Sequence, residues 1–306
     1  MKKSKALLLK RQLPLFIMTI PGLIYLLINN YLPMFGIFIA FKNIDYSKGI
    51  WGSDWVGLSN FSYLFTTGSA WRITRNTILY NVVFIILGTV LAIAVGIMLS
   101  DIRGKLKPRL YQTIILLPYL FSWVIIAYIG FAFMSGDSGW LNNSLLPALG
   151  MQPVQWYSEP KAWPFILTFV HIWKGIGYSS IVYLATIVGI DKSYYEAATV
   201  EGASKWKQIC YITLPLLKST IVMLTIMSIG RIFYSDFGLF YQVPMNSGAL
   251  YETTQTIDTY VYHGLMELND ISMSSAASVY QSVVGFVLVL TANMIVRKVS
   301  AEDALF

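Results

Sequence analysis

The segment HIWKGIGYSS, residues 171–180, sets a lysine about eleven residues into an apolar run long enough to cross a bilayer. Lys174 there, and Arg231 within GRIFYSDF near the end of a later run, cost roughly 2.5–3.5 kcal/mol each at mid-membrane. Two readings account for such groups. In the plainer one, Lys174 makes an inter-helix hydrogen bond or ion pair, and Arg231 snorkels to headgroups or pairs with a nearby acid. In the other, both line a water-filled path for a polar solute, with Tyr178 one turn beyond Lys174 on the same face. Asp236 follows Arg231 by five residues, about 140° around a helix, so the two are poorly placed to pair within one helix.

Catalytic constellations are missing from the sequence. It holds no Gly-x-x-x-x-Gly-Lys-Ser/Thr loop for ATP phosphates, no His-Glu-x-x-His pair and no Gly-x-Ser-x-Gly elbow. His171 and His263 fall on a span and an external loop, so no shared metal site is expected. If ATP drives this protein, another chain must bind it.

The elements that position these residues follow from composition. Hydrophobic residues make up 56% of the 306, charged residues only 12%, and the mean hydropathy is +0.60. That places the chain in a bilayer, where a span needs about 20 apolar residues. Six runs qualify: 13–41, 74–100, 110–134, 163–190, 213–233 and 276–296. They must be helical, because lipid-exposed backbone has to satisfy its own hydrogen bonds and the runs lack the alternation of barrel strands. The expected fold is an all-α, polytopic membrane protein with a short tail at 1–12, a six-helix domain at 13–300 and a tail at 301–306.

Lysine and arginine set the orientation. Lys2, Lys3, Lys5, Lys10, Arg11, Arg103, Lys105, Lys107, Arg109, Lys192, Lys205, Lys207, Lys218, Arg297 and Lys298 share one side, 15 of the 22 basic residues. Lys42, Lys48, Arg72, Arg75 and Lys161 lie on the other. Both termini are therefore expected in the cytoplasm, and the net charge of +7 reflects topology, not nucleic-acid binding. The first run is too long for a signal peptide and no cleavage pattern follows it. Cys210, the single cysteine, leaves no intrachain disulfide.

Between the fourth and fifth runs the chain turns polar, reading SYYEAATVEGASKWKQICYITLPLL. Ser193 and Glu196 have capping-box spacing, which predicts a helix start at Ser193. Tyr194, Ala197, Ala198 and Glu201 then share one face, small and flat in its middle. Gly202 should end that helix and Ser204 cap a second short one, with Pro215 in the first turn of the fifth span. On these residues alone the segment is a helix-turn-helix at the membrane surface, and a plain interfacial helix is one reading of it.

Glu196-Ala197-Ala198, three residues, Gly202, nine residues, then Ile212-Thr213-Leu214-Pro215 resembles the EAA loop of binding-protein-dependent ABC importer permeases. WVGLSNFSYLF, residues 55–65, with Trp71, Asn76 and Thr77, resembles the head of the second span in the carbohydrate permeases of that family. The Thr-x-Gly-Gly-Pro turn common after the fifth span is replaced here by YQVPMNSGALYETTQTIDTYVYH. Together with NNYLPMFGIFIAFKNID, that wording resembles the subgroup serving complex oligosaccharides and polysaccharide fragments.

The resemblance implies a type I importer architecture, with the loop at 191–215 forming coupling helices for two separate ATPase subunits. Tyr194, Glu196, Ala197, Ala198, Glu201, Gly202, Leu214 and Pro215 would carry that docking. It further implies a second, related permease as heterodimer partner, an extracytoplasmic solute-binding protein, and ATP with Mg on the ATPase chains, leaving no cofactor on this one. Tyr234, Ser235, Asp236 and Phe237 belong to the segment that contributes to the membrane substrate site in maltose-type permeases. With Lys174, Tyr178 and Arg231 they are the substrate-path candidates, where sugar hydroxyls meet polar side chains and C–H faces meet rings. Asp236, Glu252, Asp258, Glu267 and Asp270 make the external stretch 236–275 acidic, and it holds no lysine or arginine. Such a loop suits a basic docking partner. Alternatives from other classes are an ion-coupled secondary transporter of a polar small molecule, which would need buried acids in its spans, and a membrane-embedded enzyme.

Overall fold

The computed structural model describes residues 2–104 and 106–299; Lys105 of the second basic patch and the expected tail at 301–306 lie outside them. Among the described residues five helices are long and apolar enough to cross a membrane, and a bent pair makes the sixth. The first span, Gln12–Phe41, continues a helix that begins at Lys2 and is exposed until its last turns, where Ala40 is buried. A two-stranded ribbon pairing Lys42 with Trp55 and a short helix, Ser59–Thr66, lead to the second span, Ser69–Asp101.

The third run differs from the continuous helix expected at 110–134. It is two helices, Leu106–Leu120 and Trp123–Met134, bent by 94° at Phe121 and Ser122. Ser122 is extended and its hydroxyl accepts from the Ile125 amide, so a capping residue starts the second helix where the first has stopped. The fourth span, Trp163–Val188, passes this break, and its Gly177 lies against the Ile115 carbonyl. On its other side it packs along the second span, where Gly96 meets the backbone of Ser180 and Leu184. Small residues at both crossings allow backbone-to-backbone approach.

The fifth span also departs from expectation. Its helix is continuous from Lys205 to Ile229, so the short second helix predicted after Ser204 is its first turn. It ends at Gly230, and Arg231 lies in the turn that follows. The sixth span is a helix over Ile271–Val299.

Three wide turns with i→i+5 bonding interrupt the helices, at Leu27–Tyr31, Leu141–Leu145 and Ile209–Thr213. Each ends two residues before a proline, respectively Pro33, Pro147 and Pro215. A proline has no N–H to donate and its ring crowds the carbonyl four residues back, so widening the preceding turn keeps the helix going.

Three buried clusters hold the bundle. Tyr80, Phe84, Trp163, Leu167 and Phe240 join the second and fourth spans to the stretch after the fifth. Leu64, Ile73, Phe233, Ile257 and Ala277 join the second span to the sixth. Ala92, Ile93, Tyr183, Ile187 and Leu217 form the third, near the basic face.

Candidate functional site

The polar segment folds as a nine-residue helix, Lys192–Val200, followed by a tight reversal. Asp191, not Ser193, is its N-cap: the carboxylate accepts from the Ser193 amide at 2.9 Å, placing Ser193 inside the first turn. Asp191 is extended, so the helix can begin one residue after it. Hydrogen bonds from Ser193 hold the Asp191 carboxyl below its usual range.

Gly202 ends the helix as expected, at φ +77°, the left-handed region that favours glycine. The Ala203 amide donates to the Ala198 carbonyl at 2.8 Å and the Gly202 amide to Thr199 at 3.0 Å, which closes a Schellman motif. Ser204 then caps the next helix through the Lys207 amide.

Tyr194, Glu196, Ala197, Glu201 and Gly202 are exposed and Ala198 is half-buried. Val200, 90% exposed, extends this surface, and so do Trp206 and Tyr211. Leu214 and Pro215 lie just beyond the wide turn, with Pro215 exposed.

Residues outside the sequence-derived set fasten this helix to the bundle. The Tyr195 hydroxyl meets Thr213 Oγ1 at 2.9 Å, and Gln208 Nε2 donates to Thr199 Oγ1 at 3.0 Å. Lys205 Nζ sits 2.9 Å from Asp101 Oδ1 at the end of the second span. Behind them lies a cavity of about 350 Å³ whose wall includes Asp101, Lys192, Tyr195, Lys205 and Thr213. The signal was present in the helical period, because Tyr195 and Thr199 fall on the face opposite Tyr194 and Ala197.

A second cavity, of about 460 Å³, opens between the second, fourth and fifth spans. Asn81, Phe84, His171, Tyr178, Ser179, Ser228 and Arg231 are among its lining residues, so two of the path candidates come together here. Tyr178 stacks on Tyr119 with centroids 4.8 Å apart and remains 54% exposed.

Lys174 is not on this wall. Its ammonium donates to the carbonyls of Tyr119 at 3.0 Å and Phe121 at 2.5 Å, closing the end of the helix that stops at Leu120. It also lies 5.0 Å from the Trp123 ring centroid.

The other four candidates form the joint after the fifth span. Asn81 Nδ2 donates to the Ile232 and Tyr234 carbonyls, both at 3.0 Å. Ser235 gives its amide and its hydroxyl to Asp258 Oδ2, both at 2.7 Å. Asp236 accepts from Trp123 Nε1 at 3.1 Å and caps a short helix, Phe237–Gln242. Phe237 stacks on Tyr241 with centroids 5.0 Å apart and packs on Tyr262.

Residues 85–301 match the family described as binding-protein-dependent transport system inner membrane component. The chain belongs to this family. Among relatives of this permease, the polygalacturonan/rhamnogalacturonan transport system permease protein YteP of Bacillus subtilis is 34% identical over 98% of this chain and 94% of its own. Protein LplB of the same organism is also 34% identical, over 96% of this chain and 92% of its own. A crystallised bacterial ABC transporter involved in the import of the acidic polysaccharide alginate has a chain 31% identical, with a TM-score of 0.87 covering 98% of this chain and 100% of that one. The alginate transporter bound to its pentasaccharide-loaded periplasmic protein gives a TM-score of 0.84 at 31% identity, covering 95% and 96%.

The motif residues at the head of the permease's second span have structural roles. Asn60 Nδ2 donates to the carbonyls of Ala40 and Lys42, tying the short helix to the end of the first span. Asn76 Nδ2 donates to the Glu252 and Gln255 carbonyls at 3.0 Å each. The Thr77 hydroxyl accepts from the Ile257 amide. These bonds fix the acidic stretch 236–275 to the second span.

Proposed function

We propose that this permease is one half of the membrane channel of an ATP-driven importer of oligosaccharides. A solute-binding protein delivers the sugar to the acidic face, a second related permease completes the path, and two ATPase subunits drive it from the basic face. Both termini lie in the cytoplasm in this reading. The relatives' substrates, polygalacturonan or rhamnogalacturonan and alginate, are polysaccharides, and fragments of that class suit a cavity bearing hydroxyl, amide and aromatic groups.

The observation that carries the reading is the helix Lys192–Val200. It exposes Tyr194, Glu196, Ala197 and Glu201 outward, while Tyr195 and Thr199 on its inner side bond to Thr213 and Gln208 of the fifth span, whose first turn is joined in turn to the second span through Lys205 and Asp101. A surface built this way transmits a push from an outside body into two spans at once. Alternating access then follows from two states of the permease pair, one favoured by the closed ATPase dimer.

The test is ATPase activity in lipid of the chain co-expressed with its partners, wild type against Glu196→Ala. Loss of stimulation by sugar-loaded binding protein, in a complex that still assembles, is the expected outcome. Uptake that proceeds without ATP or an ATPase subunit would sink the reading.

A further inference from the structure

The cavity between the second, fourth and fifth spans is chemically asymmetric. Among the described residues no aspartate or glutamate lines it, and Arg231 is the only lysine or arginine that does. Among the described residues the Arg231 guanidinium makes no hydrogen bond, ion pair or ring contact. Three other cations of the chain, by contrast, have partners. Lys174 fills carbonyls at the break in the third span, Arg72 reaches Gln255 Oε1, and Arg75 reaches Asn76 Oδ1 and the Glu252 carbonyl.

The Arg231 guanidinium, exposed in the turn that ends the fifth span and unpaired within its own chain, is open to an anion. Its planar fork suits a carboxylate, which it can hold through two parallel hydrogen bonds. The surrounding wall suits a sugar. Ser179 and Ser228 offer hydroxyls, Tyr178 offers an aromatic surface, and Asn81, whose Nδ2 is spent on backbone carbonyls, keeps Oδ1 without a described donor. At about 460 Å³ the space is within the range that holds a small ligand.

We propose that Arg231 is a specificity-determining residue that reads the carboxylate of a uronic-acid unit, so that this cavity takes acidic oligosaccharides in preference to neutral ones. The inference rests on the oligosaccharide reading above and narrows its substrate class. The same carboxylate chemistry could come from an acidic side chain of a second permease subunit, and the experiment separates the two.

The assembled importer in lipid nanodiscs, without binding protein, is titrated with a galacturonate trisaccharide and with its uncharged methyl ester. Wild type is expected to bind the acid about ten- to hundredfold tighter than the ester, the worth of a charge-assisted hydrogen bond. Arg231→Gln should remove that preference while leaving ester affinity within about twofold, and Arg231→Lys should keep part of it. Equal binding of acid and ester by the wild type overturns the inference without needing any variant, and leaves the importer reading standing. Equal loss of both ligands in Arg231→Gln also overturns it, assigning Arg231 to a subunit contact. Failure of both sugars to bind, together with failure of either to be taken up when binding protein is supplied, removes the oligosaccharide reading itself.

Discussion

Lys174 on the fourth span donates to the carbonyl oxygen of Phe121 at the point where the third span breaks. A helix that stops inside a membrane leaves its last carbonyls without partners, and lipid offers none. The lysine supplies the donors, and its charge suits the negative end of that helix. Replacing it by methionine is therefore expected to cost about 1.5–3 kcal/mol of stability, as loss of a charged hydrogen-bond donor does. Lys174→Gln, which keeps an N–H donor, should fall between. Thermal unfolding in detergent reads this directly. Uptake lost with unchanged unfolding would instead return Lys174 to the substrate path.

Two glycines two residues apart on the fourth span should behave in opposite ways. A Cβ at Gly177 would run into the Ile115 carbonyl and the Leu116 Cα, backbone atoms that no rotamer change can move. A Cβ at Gly175 meets nothing within 4 Å. Gly177→Ala is expected to destabilise by about 1–3 kcal/mol through overpacking, and Gly175→Ala to leave folding unchanged. Comparable melting of the two variants would show that the third and fourth spans do not approach as closely as described.

Much of this was legible in the sequence, and the exceptions have physical causes. Membrane spans declare themselves because a bilayer demands length and apolarity, and the six runs all recur. The break at Phe121 was hidden because both helices are apolar; hydropathy is blind to a turn whose polar groups are satisfied by a lysine 53 residues away. The end of the fifth span was misplaced for a similar reason, since Ile232 and Phe233 read as span although Asn81 holds the backbone there in a turn. Gly202 was readable because its role depends on its own φ. Tyr195 and Gln208 were passed over because the motif lists the outward face, and the bonds they make run inward.

The links beneath the helix Lys192–Val200 should differ in strength. Asp101 and Lys205 form an exposed pair, with side chains 53% and 73% accessible, so Asp101→Asn should change stability by less than about 1 kcal/mol. Tyr195→Phe removes a part-buried hydrogen bond to Thr213 and should cost about 0.5–1.5 kcal/mol. It should also lower the sugar moved per ATP hydrolysed, because it loosens the helix from the fifth span. Proteoliposomes in which both quantities are measured distinguish these cases; a larger effect from Asp101→Asn would reverse the proposed order.

Gly202 isolates backbone conformation from packing. A Cβ there would touch nothing within 4 Å, yet φ is +77°, so only the left-handed conformation resists a side chain. Alanine in that region costs about 1–2 kcal/mol, whereas asparagine tolerates it better through local hydrogen bonding. Gly202→Ala is thus expected to fray the Schellman closure and weaken the stimulation of ATPase activity by sugar-loaded binding protein. Gly202→Asn should retain more of that stimulation despite its larger side chain. An order set by side-chain size, with alanine the milder change, would mean that Gly202 is needed for close approach of the ATPase surface and not for the turn it closes.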